Sequence, residues 1–133
     1  VLAQVPPESA VASAGSDAPA GGPFAQSVPF GDGEVELTLQ PGERGTNEVH
    51  ITALGEDGRL MADAEAFVLQ MSLPARDVGP LVPELTRITN GHSTGYVKIP
   101  YSGEWTFDVS SRVSRFRELR ATFTVPVGES AGN

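Results

Sequence analysis

Cysteine is absent from the 133 residues. Disulfides, thiolate metal sites and cysteine nucleophiles are thereby excluded, so a metal would have to be held by histidine, methionine or carboxylates. The absence leaves the compartment open, because extracytoplasmic proteins often fold without disulfides. Basic residues are also scarce, nine against seventeen acidic ones, for a net charge of −8. A chain so acidic disfavours phosphate backbones and anionic lipid as a whole, and no nucleic acid is expected among its partners.

No apolar run approaches the roughly 18 to 20 residues that a membrane span requires. The sequence shows neither an initiating Met nor a signal peptide, and the expectation is a soluble piece of something longer. Catalytic signatures are missing as well. There is no Gly-x-Ser-x-Gly elbow, no His-Glu-x-x-His and no phosphate-cradling glycine loop. Carboxylate pairs such as Glu34/Glu36 and Glu56/Asp57 fall on outward strand positions or in turns and read as solubilising charge. No enzyme is expected.

What is present begins with a stretch rich in Ala, Pro, Gly and Ser, "VLAQVPPESAVASAGSDAPAGGPFAQSVPF". It lacks any sustained period and has too few large apolar side chains to offset the entropy of ordering it. Residues 1–30 are therefore read as a disordered, flexible linker, residues 31–128 as the folded domain and residues 129–133 as a disordered tail.

From Gly33 the texture changes to short alternating runs. "GEVELTLQ" sets Val35, Leu37 and Leu39 on one face, "PGERG" turns the chain, and "TNEVHITAL" repeats the alternation with Val49, Ile51 and Ala53. His50 must then point away from the core, beside Glu48 and Thr52. Phe67, Leu69, Met71 and Leu73 share a face in "AEAFVLQMSLP". Residues 74–81, broken by proline and glycine, are expected to form a loop, and "PELTRIT" a short edge strand. "STGYVKIPY" and "EWTFDVSSRV" flank a Ser-Gly turn, "RELRATFTVPV" alternates again, and "SRFREL" has room for one helical turn.

About seven short strands with turns at this spacing predict an all-β, immunoglobulin-like antiparallel sandwich; a small closed barrel is the runner-up. The expected core is Val35, Leu37, Leu39, Val49, Ile51, Phe67, Leu69, Met71, Trp105, Phe107, Val109, Phe123 and Val125. At roughly 1.5 to 3 kcal/mol per fully buried large side chain, such a core needs neither metal nor disulfide. The cluster Arg112, Arg115, Arg117 and Arg120 stands out in so acidic a chain. Pairing with nearby carboxylates is the expected arrangement, and contact with lipid headgroups or a membrane domain the alternative.

"GEVELTLQPGERGTNEVHI", then "LPARDVGPL", then "YSGEWTFDVSSRVSRFRE" followed by "FTVPV" resembles, in order and spacing over roughly residues 30 to 127, the soluble C-terminal domain of the copper-resistance protein D family of bacterial copper transport proteins, including fusions with a copper-resistance protein C domain. The opening "VLAQVPP" is similar to the exit of the last transmembrane helix of such proteins into a Pro-rich linker. The resemblance implies an extracytoplasmic domain, periplasmic or on the outer face of the cell membrane, tethered to a membrane protein of copper transport or resistance. It implies copper import, export or resistance at the cell envelope and makes copper the candidate ligand, without by itself implying that this domain binds it. The implied partners are the membrane-embedded part of the same polypeptide or a copper chaperone.

The donors on hand for copper are His50, Met61, Met71 and His92. Cu(I) favours thioether and imidazole, and Cu(II) favours imidazole with oxygen. None of the close pairings His-x-His or Met-x-Met occurs. Met71 is in phase with the core residues Phe67 and Leu69, Met61 follows a turn, and His92 sits in the turn-rich "TNGHSTG". Asp63 and Glu65, near Met61, are potential oxygen donors. The competing expectation is a metal-independent immunoglobulin-like interaction module that binds a protein partner along a strand edge.

Overall fold

From Val35 to Leu39 and from Asn47 to Ala53, every second residue is buried and the residues between face outward. That period of two is the signature of a sheet with one face on a core. The structure, a computed structural model, describes residues 21–129. The strands are β1 Phe24–Phe30, β2 Gly33–Gln40, β3 Gly45–Leu54, β4 Val68–Leu73, β5 Val78–Leu81, β6 Thr86–Thr89, β7 His92–Ile99, β8 Gly103–Ser114 and β9 Arg117–Val127. They form two antiparallel sheets, a five-stranded one in the order β1-β2-β3-β7-β6 and a four-stranded one in the order β5-β4-β8-β9.

The second to fifth strands of the first sheet follow the A-B-E-D order of an immunoglobulin-like sandwich, and the second sheet follows C′-C-F-G. β1 is an additional strand outside the A position. The fold class is therefore the all-β, immunoglobulin-like sandwich that the alternation predicts. All thirteen expected core residues are buried, joined by Phe30, Leu73, Val97, Ile99, Leu119 and Val127 among others. Trp105 is fully buried and donates its indole N–H to the Tyr101 carbonyl at 2.9 Å, so its one polar atom is satisfied.

Three boundaries differ from the sequence expectation. Residues 24–30, assigned there to the linker, form β1, in register with β2 from Phe24↔Leu39 to Phe30↔Gly33. An edge strand pairs on one side only, so Pro29 costs it no ladder bond, and Phe30 at its end is fully buried against Phe67. Residues 74–81, expected as a loop, hold a single 3-10 turn at Pro74–Arg76 followed by β5, whose Pro80 likewise lies on an edge. "SRFREL" contains no helical turn. Arg115 and Phe116 are the two-residue tip of the β8–β9 hairpin, with Ser114 paired to Arg117. The rest of the expected linker, residues 1–20, and residues 130–133 of the expected tail lie outside the described residues. Glu129, assigned to that tail, accepts a hydrogen bond from Ser102 and lies 3.6 Å from Arg44.

The β2–β3 connection, Pro41 to Arg44, is organised by a side chain. Asn47 is buried, and its Oδ1 accepts from the Gly42 N–H at 2.7 Å and the Glu43 N–H at 3.3 Å. Its amide nitrogen donates to the carbonyls of Glu43 at 2.7 Å and Gly45 at 3.1 Å. The turn is laced in addition to the end of β9, where Arg44 N–H donates to the Gly128 carbonyl and Gly128 N–H to the Gly42 carbonyl. Gly42 has φ +79, and a Cβ there would run into the Gly22 carbonyl, so only glycine fits. Among the described residues no helix is long and apolar enough to cross a membrane.

Candidate functional site

β3 and β7 lie side by side at the centre of the five-stranded sheet, with His50 opposite Thr94 and Thr52 opposite His92. His50 and His92 are therefore diagonal neighbours on the outer face, close enough for their side chains to touch. They do so. His50 Nδ1 lies 3.3 Å from His92 Nε2, and the ring centres are 5.6 Å apart with a 29° angle between planes. The two nitrogens point at each other almost along the line between the rings. One must carry a hydrogen in the metal-free protein, since two facing lone pairs repel.

Glu48, two residues before His50 on the same face, places Oε2 3.4 Å from His50 Nε2. A carboxylate at Nε2 favours the tautomer with the hydrogen there and leaves Nδ1 as the acceptor towards His92. This is the carboxylate–imidazole arrangement that orients many metal-bound histidines. Thr94, opposite His50, commits its hydroxyl hydrogen to the Val49 carbonyl at 3.0 Å. The His50 and Glu48 side chains are 41% and 43% exposed, so the site opens to solvent.

The pair meets the first requirement of a metal site. An ion at the ~2.0 to 2.1 Å distance usual for imidazole nitrogen holds two such nitrogens about 3.3 to 3.4 Å apart at a tetrahedral angle. The observed 3.3 Å already equals that edge. Turning each ring by about 35° and moving the His92 hydrogen from Nε2 to Nδ1 would aim both lone pairs at such an ion. A tetragonal ion with the two nitrogens at right angles would need them about 0.4 Å closer.

The remaining expected donors do not join. Met71, on β4 in the opposite sheet, is 2% exposed and fills the core. Met61 is half-buried and packs against that core, although its backbone lies beside Gly91, one residue before His92. Among the described residues no group of three or more histidine or carboxylate side chains surrounds a common point, so Asp63 and Glu65 complete no cage. Among the described residues two imidazoles are what the chain could offer an ion, leaving its other positions to further donors. The role of Glu48 escaped the sequence reading, although its i, i+2 spacing from His50 placed it on the same face. Of the four clustered arginines only Arg120 has a carboxylate partner, Glu118, 3.1 Å away, among the described residues.

A scan against protein-family models, a search of curated proteins and a search of solved structures each gave no match.

Proposed function

We propose that the protein is a non-catalytic, extracytoplasmic accessory domain of a copper transport or copper-resistance membrane protein, and that it receives or presents copper through His50 and His92. The observation that carries the metal part of this reading is the 3.3 Å approach of His50 Nδ1 to His92 Nε2, made by residues 42 positions apart. Two imidazoles with open positions suit transfer better than storage, because an acceptor can add its own donors before the histidines let go. The membrane tether and the compartment rest on the family resemblance of the sequence.

Titration with Cu(II), and with Cu(I) under reducing conditions, tests it. Wild type is expected to bind one equivalent, with His50→Ala and His92→Ala each weakening the affinity at least about tenfold, as the loss of one of two donors implies. Unchanged binding in both variants would remove the site.

A second reading, a metal-independent interaction module, is favoured by a different region. β6 is a four-residue edge strand whose residues are all exposed, Ile88 among them at 56%, and it borders an open groove lined by Leu81, Val82, Thr86 and Tyr96. Such an edge is able to pair with an extended segment of another protein. Loss of partner capture on Ile88→Lys with copper binding intact would separate the two readings.

A further inference from the structure

The tip of the β8–β9 hairpin carries the most exposed large apolar side chain among the described residues, Phe116 at 92%. Its turn is well formed, with the Phe116 N–H donating to Ser114 Oγ at 3.2 Å and Arg112 donating to the Arg115 carbonyl at 3.3 Å. The ring is thus held outward by its backbone. Arg115 lies over it, guanidinium 5.8 Å from the ring centre. Four of the nine basic residues of the whole chain fall between 112 and 120, with Glu118 the single carboxylate among them. Glu118 pairs with Arg120, and Arg112, Arg115 and Arg117 have no carboxylate partner among the described residues. In a chain of net charge −8 the hairpin tip is a local cationic cluster capped by an aromatic ring, although Asp32 in the β1–β2 turn, beside Gly31 and Arg117, and Glu56 and Asp57 in the turn after β3 lie at the same end of the sandwich.

We propose that this tip docks onto an anionic lipid surface, with Phe116 entering the headgroup layer and Arg112, Arg115 and Arg117 pairing with lipid phosphates. A protein partner is the weaker fit, because a stable interface covers about 800 Å² per side and one phenyl ring with three arginine stems supplies much less. A bilayer needs no matching shape. It takes a single aromatic ring at the interface while long arginine stems reach the phosphates around it. Guanidinium groups bind phosphate through two parallel hydrogen bonds.

The proposal is independent of the copper site, which lies on the outer face of the other sheet. Nor does it follow from a tether at the start of the chain. Gly21 lies beside Gly128, at the end of the sandwich where β8 begins and β9 finishes, so the tip is at the opposite pole.

The test is flotation of the whole chain with phosphatidylcholine vesicles, and with vesicles containing about 30% phosphatidylglycerol, at about 50 and about 300 mM salt. Binding is expected to the anionic vesicles at low salt alone. An arginine at an anionic surface contributes about fivefold in partition, so Arg115→Glu with Arg117→Glu is expected to lower it more than tenfold. Phe116→Ser is expected to lower it severalfold, and Phe116→Trp to give emission that shifts to the blue on binding, against a constant background from buried Trp105. All three positions are exposed, and unchanged circular dichroism and thermal unfolding identify the variants as folded. No binding to anionic vesicles at low salt overturns the proposal, as does binding that neither the arginine nor the phenylalanine variants reduce. Binding of polyglutamate without binding of vesicles also overturns it and assigns the pole to an acidic protein.

Discussion

Replacing Asn47 by alanine removes four hydrogen bonds at once, and the geometry sets how much that costs. The Gly42 N–H is buried where it meets Oδ1 at 2.7 Å, and leaving such a donor without its partner costs about 1 to 3 kcal/mol. The bonds from the Glu43 N–H and to the carbonyls of Glu43 and Gly45 are part-buried, so water replaces some of what is lost, at about 0.5 kcal/mol each. The total is about 2.5 to 4.5 kcal/mol, or a fall in Tm of roughly 10 to 25 °C for a domain of this size.

Urea unfolding followed by the fluorescence of Trp105 measures it directly, since that residue is the sole tryptophan and is fully buried. Asn47→Asp is the informative companion. It keeps an acceptor for Gly42 but turns the amide donor into a second acceptor, 2.7 Å from the Glu43 carbonyl and 3.1 Å from that of Gly45. Those carbonyls and the burial would raise the pKa of the new carboxyl in the folded state. Its deficit should therefore shrink as the pH falls and the protonated acid donates again, and grow as the pH rises through the folded-state value. A loss of less than about 1 kcal/mol for Asn47→Ala would refute the view that this side chain holds the turn.

Two further outcomes follow from the site and the core. Met71→Ala should cost about 2 to 5 kcal/mol in urea unfolding while leaving copper affinity unchanged, because the thioether fills the core and faces away from the histidines; weaker copper binding by the folded variant would contradict that. Glu48→Ala should weaken copper binding about tenfold by freeing the His50 ring, whereas Glu48→Gln, which keeps an acceptor at Nε2, should lose much less; equal losses in a calorimetric titration would mean that charge and not orientation is what Glu48 supplies.

The period of two in "EVELTLQ" and "NEVHITA" was sufficient to identify β2 and β3, to bury Val35, Leu37, Leu39, Val49 and Ile51, and to turn His50 outward. It works because the pleat alternates side chains regardless of what lies across the sheet. β1 and β5 were not legible in this way. "FAQSVPF" sets Phe24, Val28 and Phe30 on one face but breaks the alternation with Gln26 and carries Pro29, and "VGPL" is short and holds Pro80; both become strands by pairing along the edges of β2 and β4 while a few of their apolar residues pack on the core. The arginines between 112 and 120 were visible as a cluster, but where pairing was expected three of them have no carboxylate partner among the described residues. The hairpin lifts Arg115 and Phe116 to its tip, and Glu118, the one carboxylate between positions 112 and 120, pairs with Arg120.

The sequence by itself determined the all-β class, the core and the side of the sheet on which each strand residue stands, since those depend on local period and burial. Only the tertiary structure decided that His50 and His92 meet. Their contact depends on β7 returning to pair with β3 after β4, β5 and β6 have intervened, in a register that sets Thr52 against His92. A shift of one residue would send His92 into the core, and a shift of two would carry it one pair away from His50. That register is chosen by the packing of both sheets together, so no local pattern around either histidine encodes it.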